Sequence, residues 1–517
     1  MTATPSEVLI AGAGPTGLML AALLSRWGVV PRIIDSGSGP SQYSKATGVQ
    51  ARTLEAFQQL GLSDAAVEYG LIGTAVNLHN DQGPIGRLSF GDAGQGVSPF
   101  PYILILPQDR TEAILGDDLR THGLNVEWNT RLEGLEQTQA GVQVTLSQGG
   151  QVETASYRYV LGADGARSSV RRLLNVGFQG ETYDHLFFVA DLRIDGEPVQ
   201  GELNIFLSSV FKFAAMFPMK GHRRFRLVGV VPPEYVHLEH PSFEDLQPYF
   251  REKMGRQMQL DDVDWFATYR VHHRVAEAFK VGYVFLLGDA AHVHSPVGGQ
   301  GMNTGLQDAY NLAWKLALVL RGQADAALLD SYHEERHPNA VKLVNTTDRI
   351  FSGFIASEQG WVGFVRRWVL PAVLPGLMRL KRAQRRAFDT LSQTALNYRG
   401  HRLSVDTLGG QVKAGDRFPW FTVGGQDSFA RLSPTRFTLF ALGGAAQLPG
   451  LDDLNSPLLE IVQMTEQAAS GLTDGLYLVR PDGYIGLTAK TPNEMQAYLD
   501  GVLGLKVPSS TPELVAG

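Results

Sequence analysis

The sequence predicts an α/β fold with a strand-rich insertion and a separate C-terminal domain. Three observations predict it. The first thirty-five residues run strand, glycine-rich turn, helix, strand. A second glycine-rich corner at Gly288 closes an apolar run and opens a long helix. From about Gly400 the texture changes to short strands.

The first strand covers Glu7 to Ala11. "GAGPTG" follows, placing Gly12, Gly14 and Gly17 in G-x-G-x-x-G spacing. A helical pattern runs from Pro15 to Trp27 and stops at Gly28, and a second strand, "RIID", closes at Asp35. The first glycine permits a tight turn, the second lets backbone approach a pyrophosphate, and the third lets helix pack on strand. The helix start offers N–H groups to an anion, and Asp35 can accept from ribose hydroxyls. The unit is Rossmann-like and predicts a dinucleotide, with FAD and a nicotinamide cofactor both open at this point.

The chain has 517 residues, 44% hydrophobic and 19% charged, as in soluble globular proteins. A net charge of −7 argues against nucleic-acid binding. The absence of cysteine excludes disulfides, thiolate metal sites and iron–sulfur clusters. "MTATPSEVLIAGAG" has no basic stretch and does not read as a signal peptide. No apolar run suggests a membrane span, so a cytoplasmic location is expected.

The segment "VQVTLSQGGQVETASYRYVLGADG" reads as a meander with Val142, Val144 and Leu146 alternating, and the helix after it is capped by Ser168. From about Phe178 to Tyr269 the chain is rich in strands. "GDAAHVHSPVGGQGMNTGLQDAYNLAWKLA" then begins at Gly288. Its carboxylate, Asp289, can bond the sugar-alcohol chain of a flavin, and Pro296 fixes a turn. Gly298, Gly299 and Gly301 let backbone lie flat against a ring. The helix that follows carries Leu306, Ala309, Ala313, Leu316 and Leu320 on an apolar face and ends at Arg321-Gly322. Its amino terminus would stabilise negative charge on a reduced flavin. This second site selects FAD.

"GAGPTG", "GADGARSSVR" and the Gly288 motif together resemble the class A flavoprotein aromatic hydroxylases, single-component FAD-dependent monooxygenases similar to para-hydroxybenzoate and phenol hydroxylases. The likeness covers most of residues 5 to 400. It implies NAD(P)H as co-substrate, O2 addition at flavin C4a, and transfer of OH from the hydroperoxide to a phenolic or related aromatic ring. It also implies a cofactor-binding set: Gly12, Gly14, Pro15, Thr16, Gly17, Asp35, Lys45, Arg52, Gln108, Asp164, Gly288, Asp289, Pro296, Gly299, Gly301, Met302 and Asn303. Asp164-Gly165 with Arg167 is implied near both FAD and the nicotinamide pyrophosphate. Lys45 stands where the family usually has arginine, which keeps charge but loses bidentate geometry.

The domains implied are residues 1–177 and 276–398 for the two parts of the FAD-binding domain, 178–275 for a substrate-binding β-sheet over the flavin, and 399–517 for a thioredoxin-like tail. "GDRFPW" and "LVRPDGYIG" carry the last likeness; lacking cysteine, the tail reads as a packing or dimerisation element. A flavin halogenase would need a W-x-W-x-I-P segment, and the tryptophans here are too far apart. A monooxygenase acting on a polycyclic antibiotic or polyketide stays open, as does an FAD-containing aromatic-ligand binder without turnover. No catalytic side chain is assigned; Tyr269 and His222 are candidate bases that core or surface roles explain equally. His292 and His294 read as satisfied histidines, so no metal is expected. "RLKRAQRR" after "VLPAVLPGL" reads as a solvated helix face rather than a membrane surface. Symmetry statistics favour a homodimer.

Overall fold

The computed structural model describes residues 6–41, 46–196, 202–207, 213–238, 241–254, 258–294, 299–350, 364–423, 426–465 and 471–505. Contacts divide the chain into two compact units. One comprises Met1–Ala22, Val30–Ala309 and His337–Leu396; the other comprises Leu23–Val29, Tyr310–Arg336 and Asn397–Gly517.

The first unit holds a six-stranded sheet in the order Lys280–Val281, Val284–Leu286, Tyr159–Gly162, Val8–Ala11, Arg32–Ile34 and Val126–Glu127. All neighbours are parallel except the first two. Val8–Ala11 and Tyr159–Gly162 are buried at every position, as a covered parallel sheet requires. The register sets Ala11 beside Gly162, and Gly162 beside Leu286, so three strand ends lie together. The meander is present as Thr130–Gln137, Val142–Gln148 and Gln151–Tyr157, with Val142, Val144 and Leu146 buried.

An eight-stranded sheet runs His292–Val293, Met258–Ala276, Phe178–Gly196, Arg224–Val230, Ala214–Pro218, Leu203–Phe206, Ala75–Asn80 and Gly83–Ser89. It is wider than the strand-rich stretch suggested. Leu203–Phe206 pairs parallel with Ala75–Asn80, so the edge of the insertion is covered by an earlier hairpin instead of being left open. Successive residues serve opposite faces. Phe188, Leu192 and Leu227 pack with Leu246 and Phe250 of the helix Phe243–Met254. Phe187, Phe213, Ala215 and Val230 form the other face, with Phe217 and Tyr269 against them.

The helix Gly301–Leu320 departs from the amphipathic expectation: everything from Asn303 to Val319 is buried. Gln307, Asp308, Asn311 and Lys315 are as covered as the leucines, because each has polar partners.

The second unit carries a mixed five-stranded sheet in the order Val405–Asp406, Ile485–Ala489, Gly475–Val479, Phe437–Leu442 and Leu459–Met464. Phe418, Phe440, Tyr477, Val479 and Ile485 form its core. The helix Pro492–Gly501 starts from a capping box between Thr491 and Glu494.

A charge cluster is sealed inside this unit. The Arg480 guanidinium donates to Glu335 at 2.6 and 3.0 Å and to Asp482 at 2.5 and 3.0 Å. Lys315 Nζ donates to Glu335 at 2.7 Å, and Trp314 Nε1 to Asp482 at 3.2 Å. All four charged side chains are at most 1% exposed. Two cations face two carboxylates, so the buried charge balances. Burial alone would raise the Glu335 carboxyl, but Arg480 and Lys315 hold it well below the usual range. Burial lowers Lys315 to about 8, against the pull of Glu335.

Glu335→Gln leaves two buried cations with one carboxylate and is expected to cost about 3–5 kcal/mol in guanidinium unfolding at neutral pH. The depressed Glu335 pKa contributes stability that is complete above 4.5, its ordinary value, and is lost as pH falls toward the folded value. The wild type should therefore lose stability more steeply on acidification below that point than Glu335→Gln does.

Candidate cofactor and active site

The turn after the first strand is shaped by its glycines. Gly12 has φ +108°, and a β-carbon there would overlap the Ala163 carbonyl oxygen. The space a β-carbon would fill at Gly14 is open to 4 Å, whereas at Gly17 it would strike the Gly12 carbonyl. Pro15 opens the helix Pro15–Arg26, and Leu18 N–H donates to Gly14 O at 3.0 Å, leaving the N–H groups of Thr16 and Gly17 without an acceptor within their helix. Asp35 clamps the turn: Oδ2 accepts from Ala13 N–H at 2.8 Å and Oδ1 from Gly37 N–H at 2.7 Å.

The late corner meets this turn. Gly288 follows the strand Val284–Leu286 at φ +57°, and a β-carbon on it would lie 2.6 Å from Thr16 Oγ1. A β-carbon on Gly305 would overlap the same hydroxyl and lie 3.1 Å from Gly288 Cα. The Thr16 hydroxyl thus occupies a notch between two bare glycines. Asp308 Oδ2 accepts from Gly288 N–H at 3.0 Å and pairs with His292 Nε2 at 2.8 Å, all of it buried. Asp289 is exposed at the corner itself.

The middle motif joins the other two. Asp164 Oδ2 accepts from Ser169 N–H at 2.7 Å and Val170 N–H at 3.1 Å, while Oδ1 is buried with no hydrogen-bond partner. Burial pushes the Asp164 carboxyl up despite these bonds. Ser168 caps the short helix Ser169–Leu173. Arg171 donates to Ala290 O and Ala166 O, each at 2.8 Å, and lies 3.8 Å over the Phe178 ring. Arg167 is exposed.

Other candidates take more specific places. Asn303 Oδ1 accepts from Gln50 N–H at 2.9 Å and Thr53 Oγ1 at 2.8 Å; Nδ2 donates to Gly48 O at 2.8 Å and Gly299 O at 3.0 Å. That side chain has used all four of its bonds and staples the start of the long helix to the segment Gly48–Thr53. Only its backbone N–H, with those of Gly301 and Met302, points out of the helix start. Arg52 is buried with its guanidinium 3.0 Å from Glu55, which also accepts from Ser98 at 2.7 Å. Gln108 Nε2 donates to Glu112 at 2.8 Å, and Gln108 N–H to Ala46 O at 3.0 Å. Burial raises the Glu112 carboxyl, with repulsion from nearby Asp35 adding to it. Lys45, Pro296 and Gly298 lie outside the described residues.

The two candidate bases fare differently. His222 is exposed in the turn before Arg224–Val230. Tyr269 stacks on Phe187, and burial pushes its phenol far up, so it stays protonated at neutral pH and can donate but not abstract a proton. Arg226 is buried beside it, bidentate to Asp191 at 2.7 and 2.6 Å and donating to Thr47 Oγ1 at 2.8 Å. Arg171, Arg226 and Asp308 are the residues that reading the sequence missed. Asp308 left one signal, a carboxylate within a mostly apolar helical run.

Three segments thus converge at the carboxyl ends of parallel strands, where such sheets bind nucleotides. The open space at Gly14 and two helix starts suit the diphosphate of a dinucleotide, and the unpaired Asp164 oxygen can accept from a ligand hydroxyl. Residues 5–347 match the family described as FAD binding domain. A flavin-dependent monooxygenase of Mycobacteroides abscessus is 35% identical over 512 residues, covering 96% of this chain and 100% of that one. Pentachlorophenol 4-monooxygenase of Sphingobium chlorophenolicum is 33% identical over 424 residues, 80% of this chain and 75% of the other. The solved structure of OxyS anhydrotetracycline hydroxylase from Streptomyces rimosus superposes with TM-score 0.74 at 28% identity, covering 96% of this chain and 99% of that one. The fold and site therefore define an FAD-binding protein. This chain belongs to the FAD-dependent aromatic monooxygenases within that family.

Gly305→Ala should force Thr16 and Gly288 apart at a cost of about 1–3 kcal/mol, and weaken FAD roughly 5- to 150-fold. Flavin absorbance per protein after dialysis measures this; full occupancy at micromolar protein would refute the notch.

Proposed function

We propose that this chain uses NAD(P)H and O2 to hydroxylate a phenolic or related electron-rich aromatic compound. One oxygen atom enters the ring, the other leaves as water, and the nicotinamide supplies the two electrons. The observation that carries the reading is the packing of Gly288 and Gly305 around Thr16, which brings the diphosphate turn and the second flavin motif into one cleft. Bound FAD supplies the electron-accepting and oxygen-activating ring.

The side chains bind, orient and exclude water. The turn Gly12–Gly17 would receive the diphosphate, its backbone N–H groups facing the anion. Asp35 has lone pairs left for ribose hydroxyls, and Asp289, exposed at the corner, is the carboxylate for the sugar-alcohol chain. The helix start at Gly301–Asn303 would stabilise the negative charge that reduction puts on bound flavin. Gln108 lies beside the residues leading into Thr47 and would shape the same cleft. We assign residues 178–275, with the hairpin Ala75–Ser89, to the wall of the substrate chamber. The aromatic cluster of Phe187 and Phe213, with Phe217 and Tyr269 packed against it, would back that wall, and the Tyr269 hydroxyl would donate to a substrate oxygen. Residues 399–517 are read as a thioredoxin-like tail without thiol chemistry.

A polycyclic phenol is the second reading for the substrate. The likeness to OxyS, named as an anhydrotetracycline hydroxylase, extends over 96% of the chain and supports that reading. Sizing the substrate needs a screen in which NADH and NADPH oxidation is followed over single-ring phenols and polyketide phenols, with product mass spectrometry. Substrate-stimulated oxygen uptake and a product heavier by one oxygen are expected; a yellow protein with no aromatic-dependent uptake would leave a binder without turnover. Asp289→Ala should lower FAD affinity by about tenfold, a lost hydrogen bond to a charged group. Tyr269→Phe should raise KM while leaving FAD content intact.

A further inference from the structure

The helical segment Val365–Leu377 and the helix Lys381–Leu391 present a surface that the flavin chemistry does not use. One side is packed. The Leu374 side chain lies 3.2 Å from where Gly86 would carry a β-carbon, Phe388 is buried beside Phe90, and Met378, Ala387 and Leu391 rest on the same cluster. The other side is also apolar, and it is open. Phe364 is 59% exposed, Trp368 56%, Val369 40%, Val373 58%, Leu377 47% and Leu380 58%. A helix that is hydrophobic all round is normally covered all round. The remaining exposed large apolar side chains are scattered singly or in pairs through the described chain: Val30, Tyr69, Ile72, Val152, Leu173 and Val236.

The charge on this segment is equally one-sided. Residues 364–391 include seven Lys or Arg and one acidic residue, Asp389, which pairs with Arg385 at 3.5 Å, in a chain of net charge −7. Arg379, Lys381, Arg382 and Arg386 are exposed alongside the apolar row.

We propose that this face docks on the surface of an anionic lipid bilayer. An interface-lying helix needs a row of Trp, Phe and Leu to enter the acyl boundary and a flank of Lys and Arg to meet headgroup phosphates, and both are here on adjoining helices. Among the described residues no helix is long and apolar enough to cross a membrane, so the contact is peripheral. A second copy of the chain fits less well. A two-fold pair would set one basic flank against the other, and no comparable exposed apolar row exists elsewhere among the described residues to receive it head to tail. A soluble acidic protein would answer the cations but not six exposed apolar side chains.

The test uses the full-length holoenzyme and co-sedimentation with vesicles of phosphatidylcholine alone or mixed with phosphatidylglycerol, at low and high salt. Binding to the anionic vesicles, loss of binding at high salt, and little binding to phosphatidylcholine are expected. Changing Arg379, Lys381, Arg382 and Arg386 singly to Gln should weaken binding about fivefold each. The double change Trp368→Ser and Leu377→Ser should weaken it roughly tenfold or more, with flavin content and NAD(P)H oxidation in solution unchanged. Equal binding to both vesicle types overturns the proposal, as does indifference to the apolar double change. A concentration-dependent dimer in sedimentation velocity that the double change abolishes also overturns it, and assigns the face to a second copy. If a variant loses flavin, the lipid and salt arms on the wild type decide.

Discussion

A threonine hydroxyl lodged between two glycines holds the cofactor cleft together. Thr16 lies in the first turn of the helix Pro15–Arg26; Gly288 opens the corner that carries Asp289; Gly305 lies in the first turns of the helix Gly301–Leu320. None of the three can move without the other two, because the distances leave no room for a single methyl group. The parallel sheet below fixes their heights by register, and Asp308 locks the corner from the other side through Gly288 N–H and His292. Precision at the cleft comes from removing side chains as much as from placing them.

Much of this was legible because glycine spacing and strand–helix order follow directly from backbone sterics. The turn at Gly12, the corner at Gly288, the Ser168 cap and the alternation at Val142, Val144 and Leu146 all depend on local rules, and FAD follows from the first two together. Arg171 and Arg226 were illegible for the opposite reason. Their partners, Ala290 and Asp191, lie far away in sequence, and a lone arginine in a strand or short helix carries no signal of its own. Family position marks Asn303 and Arg52 as cofactor residues but says nothing of their partners. Asn303 spends its side chain on Gly48, Gly299, Gln50 and Thr53, and Arg52 directs its guanidinium at Glu55; neither fact can be recovered without coordinates.

The long helix Gly301–Leu320 shows where periodicity misleads. Its polar residues read as a solvent face, yet they are buried because each meets a specific acceptor or donor: Asp308 the corner, Asn311 and Lys315 the carboxylate of Glu335. A polar stripe on a helix therefore has two physical meanings, water or a saturated interior network, and hydropathy alone does not separate them.

The sealed cluster around Arg480 bears on the order of synthesis. The compact unit containing the tail is stitched from three stretches of chain, and Lys315 and Glu335 leave the ribosome more than a hundred residues before Arg480 and Asp482. During that interval the nascent chain holds a lysine and a glutamate whose final arrangement needs a guanidinium not yet made. Trp27, whose indole N–H donates to Pro434 O, waits longer still. Completion of this unit therefore waits on the Arg480 turn, and a chain stalled before that turn keeps an open seam for chaperones to recognise.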